Sequence, residues 1–260
     1  MTQRSETPAP DRAKAYKVAR DLHLRDLGAA LAAGWSDFLR HPQYGLFFGA
    51  IFGVAGAVLT YIMVTSGEVS WLIPAAAGFP LLAPFTAVGL YEVSRRREAG
   101  IDLNWPRILG AVKGRGDEQI LSMGVIIFVA FGFWVIIAHL VFSIFLVEAG
   151  AGSETIGFLV TPAGITMLAV GSAIGAVIAM AFYAITVFSL PMLVDREVDF
   201  LTAIFASLAA FRQHFWILLA WAILIAGLLV VAMIPVFLGL PIILPLLGHA
   251  SWHLYRSAIK

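Results

Sequence analysis

Cysteine is absent from the 260 residues. That removes disulfides, thiolate metal sites, iron–sulfur clusters and cysteine nucleophiles together. Charge is scarce as well. Asp, Glu, Lys and Arg supply 13% of the chain, against about 25% in a soluble domain. So few polar groups cannot clothe a surface in water, which points to lipid as the solvent. Catalytic signatures are missing too: there is no HExxH, no GxSxG and no persuasive Ser/His/Asp grouping. The glycines at 114 and 116 (KGRGDE) are too few for a phosphate loop. The RGD triplet there falls on the expected cytoplasmic side, which dismisses an adhesion role.

What is present is hydrophobic, at 60% of residues. A helix crosses the hydrocarbon in about 20 apolar residues. Six such runs occur, near 45–64, 71–93, 120–146, 166–193, 215–234 and 236–255. The last two are nearly continuous. Together they would make a helix twice as long as a bilayer of about 30 Å is thick, so a turn is expected at Pro235, helped by Gly239. The cations segregate. Every Lys and Arg lies before the first run, between the second and third, between the fourth and fifth, or after the sixth. The alternate loops carry Glu68, Glu148 and Glu154 instead. By the positive-inside rule both ends are expected in the cytoplasm. Residues 1–22 are basic, without the apolar run of a cleaved signal, and read as a mobile cytoplasmic tail.

The fold class expected is an all-α membrane protein with one membrane domain over 23–260. It is built from three tandem units, about 23–95, 96–194 and 195–260, each an amphipathic interfacial helix followed by a two-span hairpin. Pro74, Pro80 and Pro84 recur as Pro235, Pro241 and Pro245 at a constant offset of 161 residues, which also superposes Arg95 on Arg256. The amphipathic stretches are Leu24, Leu27, Leu31, Trp35 and Phe38; Ile101, Trp105, Ile108 and Val112; and Phe200, Ile204, Leu208 and Phe211. Their steps of three and four put each set on one helical face. In the first, Arg25, Asp26 and Asp37 are placed on the opposite face. Asp199 is placed as N-cap or first-turn acid of the third. These helices are expected against the acyl boundary or the bundle, with soluble caps as the alternative.

Small residues drive helix contact in lipid. Gly45, Gly49 and Gly53, and then Gly171 and Gly175, recur at steps of four and are expected to face protein, within the chain or at a subunit interface. Prolines inside spans free carbonyls that neighbours must satisfy or a cavity must receive. The polar candidates are His139, His249, His253 and Glu92. An intramembrane imidazole is costly and therefore a functional candidate. His139 and His249 are expected at opposite depths, which argues against a shared haem or metal and for interhelical hydrogen bonds. His249 and His253 share a face at i, i+4, a spacing that suits a metal, but no third ligand is evident. Glu92 has Arg95 and Arg96 at i+3 and i+4, so a local ion pair is expected. No catalytic residue, cofactor or nucleic-acid partner is expected. The partners expected are the lipid bilayer and either other membrane subunits or a second copy.

Two segments, GWSDFLRHPQYGLFFG (34–49) and FSLPMLVDREVDFLTAIFASLAAFRQHFW (188–216), resemble a family of uncharacterised bacterial integral membrane proteins. Some members of that family are labelled cytochrome c oxidase subunits. The resemblance implies a bacterial inner membrane as the location and implies no catalytic residues. With two intramembrane histidines and no cysteine, an oxidase link would be accessory: an added subunit or an assembly partner. The alternative function is a transporter or channel for a small or lipid-like solute, suggested by the proline-broken spans. A membrane-embedded enzyme ranks below both.

Overall fold

Helix α1 begins where His23 donates its backbone N–H to Asp26 at 2.7 Å, and runs Leu24–Arg40. It ends because Pro42 forces the residue before it out of helical geometry and opens the next helix at its first position. In this computed structural model residues 16–67, 78, 82–113, 119–149 and 156–260 are described. The further helices are α2 (Pro42–Thr65), α3 (Ala83–Glu98), α4 (Trp105–Leu109, continued by a 3-10 turn), α5 (Gln119–Ala149), α6 (Pro162–Thr186), α7 (Ser189–Asp195), α8 (Phe200–Gln213), α9 (Phe215–Met233) and α10 (Leu240–Ala258). No strand occurs among the described residues; the one β-bridge joins Val18 to Ile259.

Four helical stretches are long and apolar enough to cross a membrane: Pro42–Thr65, Gln119–Phe145, Pro162–Asp195 and Phe215–Met233. They match the first, third, fourth and fifth expected spans. The other two differ. Of the expected 71–93 span, residues 71–81 lie outside the described residues apart from Gly78, and Pro74 and Pro80 with them; the described helix continues to Glu98. The expected 236–255 span is α10, which starts at Leu240 because Val236 and Phe237 take left-handed backbone conformations in the turn. The turn itself falls at Pro235 as expected. It is so tight that a Cβ on Gly239 would stand 2.6 Å from Ala232 Cα. Below it, α10 carries Ser251, His253, Arg256 and the buried His249, so it lacks an unbroken apolar run. Its surface is covered instead by protein, with α1, α2 and α3 packed around it.

The amphipathic stretches are only partly as read. In α1 the buried stripe is Leu27, Ala30, Gly34, Asp37 and Phe38, while Leu24 and Trp35 are exposed. Asp37 therefore sits on the inward face, a correction to its placement opposite. The reason is that α1 lies along α10: a Cβ on Gly34 would meet Ala250 N at 2.5 Å. The second stretch is helical only over Trp105–Leu109 before tightening into the 3-10 turn. Pro106 sits near its start and the Asn104 side chain accepts from Arg107 N at 3.1 Å. The third is α8, capped by Asp199, which accepts from Thr202 N at 2.9 Å. Its most buried residues are the small ones, Ala203, Ala206, Ser207 and Ala210.

Within the expected tail, residues 1–15 lie outside the described residues. The remainder docks. Lys17 N donates to Lys260 O at 2.8 Å, Lys260 N returns a bond to Lys17 O at 2.9 Å, and Gln213 Nε2 donates to Ala19 O at 2.7 Å.

Candidate functional site

The glycine stripe and the prolines, read separately in the sequence, are two halves of one contact. A Cβ on Gly45 would stand 2.8 Å from Pro245 Cβ, and one on Gly49 would stand 2.6 Å from Pro241 Cα. Gly53 faces the Pro241 ring and Gly56 the Phe237 ring. Pyrrolidine rings on α10 thus fill the notches of α2. Close backbone approach of this kind replaces the hydrophobic drive that lipid cannot supply. Gly175 does the same for the Trp134 ring, and Gly171 faces Val141, so α6 packs on α5. Pro84 opens α3 near its first position, where a missing N–H costs nothing.

This seam draws α1, α3 and α10 together at their charged ends and closes them around one carboxylate. Asp37, 1% exposed, pairs with the Arg97 guanidinium. It accepts from Ser94 Oγ at 2.5 Å and lies 3.0 Å from His253 Nε2. Ser94 Oγ is also 2.8 Å from His249 Nδ1. His253 Nδ1 faces Glu98 Oε1 at 3.2 Å, and Glu98 Oε2 meets Arg256 Nε at 3.2 Å. Arg256 reaches on to Asp195 of α7 at 3.1 Å, which also accepts from Tyr255 at 2.9 Å. Burial alone would raise the Glu98 carboxyl, but the hydrogen bond from His253 and the charges of His253 and Arg256 outweigh it and hold its pKa below the ordinary value. Beside this cluster Glu92 is gripped by Arg95 at 2.7 Å and Arg96 at 2.6 Å, the local ion pair expected from the spacing. That bond holds the Arg95 guanidinium above its ordinary value, against the opposing pull of burial.

The hydrogens can be assigned by elimination. Ser94 donates its one proton to Asp37, a carboxylate paired with Arg97. The His249 Nδ1–H then donates to Ser94, and Nε2 is left as a buried acceptor with no hydrogen bond. A hydrolase would need the reverse, a serine whose proton passes to imidazole and whose oxygen is reachable. Ser94 is fully buried. His253 sits between two carboxylates, its Nε2 towards Asp37 and its Nδ1 towards Glu98. Among the described residues no group of three or more His, Asp or Glu is arranged to hold a metal ion.

The cluster thus gathers His249, His253 and, as its neighbour, Glu92. It does not gather His139, which lies on an exposed face of α5. Asp37, Ser94, Arg97 and Glu98 were not singled out from sequence. Two histidines on one face of a helix were the available signal, since such a pair needs an acid opposite.

A second feature lies on the other side of α10. A cavity of about 830 Å³ is bounded by α3, α6, α9 and α10 and is lined almost wholly by apolar side chains. Tyr91, Tyr183, Thr186 and Ser251 are the hydroxyl-bearing residues on its wall.

Residues 72–195 match a family model described as "Predicted integral membrane protein (DUF2189)". The chain is similar to that family. The match spans α3 through α7 and agrees with the resemblance to an uncharacterised membrane family; its description names no activity. No curated protein and no solved structure matches the chain.

Proposed function

We propose that this is a non-catalytic, six-span inner-membrane protein that acts by helix packing, as an accessory or assembly partner of a membrane complex, a respiratory one being the candidate that the family labels suggest. One observation carries the reading. The side chains able to do chemistry near the charged face, Asp37, Ser94, His249, His253 and Glu98, are spent on each other in joining α1, α3 and α10. The outward faces are left for lipid and protein. On α5, exposed Phe128, Phe133 and Ile136 surround the level of exposed His139.

Six passes in three tandem units, 23–95, 96–194 and 195–260, fit the four long apolar helices plus α3 with its preceding apolar run and α10, whose polar inner half is sheathed by α1. The mutual backbone bonds of Lys17 and Lys260 favour an even number of passes. Purification of the tagged chain from its native membrane in mild detergent, followed by mass spectrometry and a visible spectrum, tests the reading. A stoichiometric partner supports it. A lone species turns the choice to the second reading, handling of a lipid-like solute, which the apolar cavity favours.

A further inference from the structure

We infer that the cavity between α3, α6, α9 and α10 is a binding site for one neutral, largely apolar molecule carrying a carbonyl or hydroxyl oxygen, which the Tyr91 and Ser251 hydroxyls recognise. Both residues line the cavity and are more than nine-tenths buried. Among the described residues neither side chain makes a hydrogen bond to another protein group, and both border the cavity, where a hydroxyl facing an apolar space gains from a polar partner. A ligand oxygen would satisfy them.

The two groups sit at the same level. Gly248 faces Leu90, Ser94 bonds His249 and Glu98 meets Arg256, so α3 and α10 run parallel there, and the Tyr91 ring stacks on Trp252, next to Ser251, with centroids 6.5 Å apart. Tyr183 and Thr186 stand towards the same inner end of α6. Their protons go to Leu218 O at 3.0 Å and Phe182 O at 2.9 Å, which leaves lone pairs able to accept from a ligand hydroxyl. Among the described residues the opposite end, near Pro84, Leu244 and Phe237, is lined by apolar side chains. The cavity therefore has one hydrogen-bonding end and a long apolar remainder, the distribution of an amphiphile with a small neutral head.

Charge excludes the alternatives. Among the described residues no Lys, Arg, His, Asp or Glu lines the wall. A phosphate or carboxylate placed there would be desolvated without a counter-ion. The volume suits a single ligand of drug or lipid-fragment size. Ile223 and Ile234 line the cavity and are exposed, so it opens laterally along α9, where a membrane-dissolved molecule would enter. The inference does not rest on the accessory reading, since a subunit and a solitary protein could equally hold such a ligand.

The test uses the full chain in mild detergent, delipidated and titrated with 1,2-dioleoylglycerol, decylubiquinone or dioleoylphosphatidylcholine under native mass spectrometry. The first two distinguish an ester lipid from a carbonyl ring as the source of the head; the third carries the charged head that the wall cannot receive. A saturable 1:1 adduct with either neutral probe is expected. Tyr91→Phe and Ser251→Ala should each weaken it roughly 2- to 10-fold, and Ala87→Trp, which fills the cavity, should abolish it. Absence of a 1:1 adduct with both neutral probes overturns the inference, as does equal binding of the phosphatidylcholine. Unchanged affinity in the Tyr91→Phe/Ser251→Ala double variant overturns it too, and those conservative changes decide the matter if Ala87→Trp does not fold.

Discussion

Ser94 Oγ stands 2.5 Å from Asp37 Oδ2, across 57 residues of sequence and in a fully buried setting. That separation is characteristic of a hydroxyl donating to an ionised carboxylate. It makes Asp37 the junction of α1, α3 and α10.

Asp37→Ala should therefore be severe. It leaves Arg97 without its counter-ion and Ser94 and His253 without an acceptor. Removing one member of a buried pair costs about 3–5 kcal/mol. Thermal unfolding in detergent should show the loss, and Asp37→Ala/Arg97→Ala should be less damaging than the two single changes combined. Strict additivity would show that the two side chains are not coupled.

The seam between α2 and α10 predicts opposite fates for chemically identical substitutions. Gly49→Ala must force α2 away from Pro241, at a cost of about 1–3 kcal/mol. Gly132→Ala on α5 meets open space and should be neutral or stabilising, by up to about 1 kcal/mol. Comparison of the melting midpoints checks both, and a Gly49→Ala protein as stable as the parent would refute the contact.

Acid should erase one contribution selectively. The Glu98 carboxyl is held below its ordinary value in the folded chain, so below that ordinary value the unfolded chain binds its proton more readily. The stabilisation is complete above about pH 5 and is lost as pH falls through the folded value. Glu98→Gln lacks it at every pH. The stability gap between parent and Glu98→Gln should narrow from pH 6 to pH 4; a widening gap would contradict the ion pairs with His253 and Arg256.

The absence of cysteine makes the threading directly measurable. Ser66→Cys and Ala99→Cys place single thiols on exposed positions flanking the second expected span. A membrane-impermeant maleimide added to intact cells should label the first, and should label the second only after permeabilisation. Labelling of both from one side would end the six-span reading.

The sequence made the long apolar helices readable because about 20 greasy residues in a row have few other uses. The turn at Pro235 and the cap at Asp199 followed from local chemistry, and so did the grip of Arg95 and Arg96 on Glu92. Asp37 was illegible for a physical reason. Periodicity assigns an acid to the wet face, and only the approach of α10 turns that face inward. His249 and His253 pointed to a missing acid, but their partner lay 216 residues away from His253, beyond the reach of any spacing rule. The reciprocity of the glycines and prolines was hidden likewise, because each stripe was visible and their meeting was not.

That 216-residue separation bears on biogenesis. Helix α1 emerges first and α10 last, yet each is the other's principal cover. During synthesis Asp37 must wait, still hydrated at the membrane surface, while the intervening passes are inserted. Closure consequently waits until α10 has been made, slow in the way that contacts between distant parts of a chain are slow, and a nascent chain stalled before Leu240 would display an acidic, half-amphipathic helix with nothing to clasp.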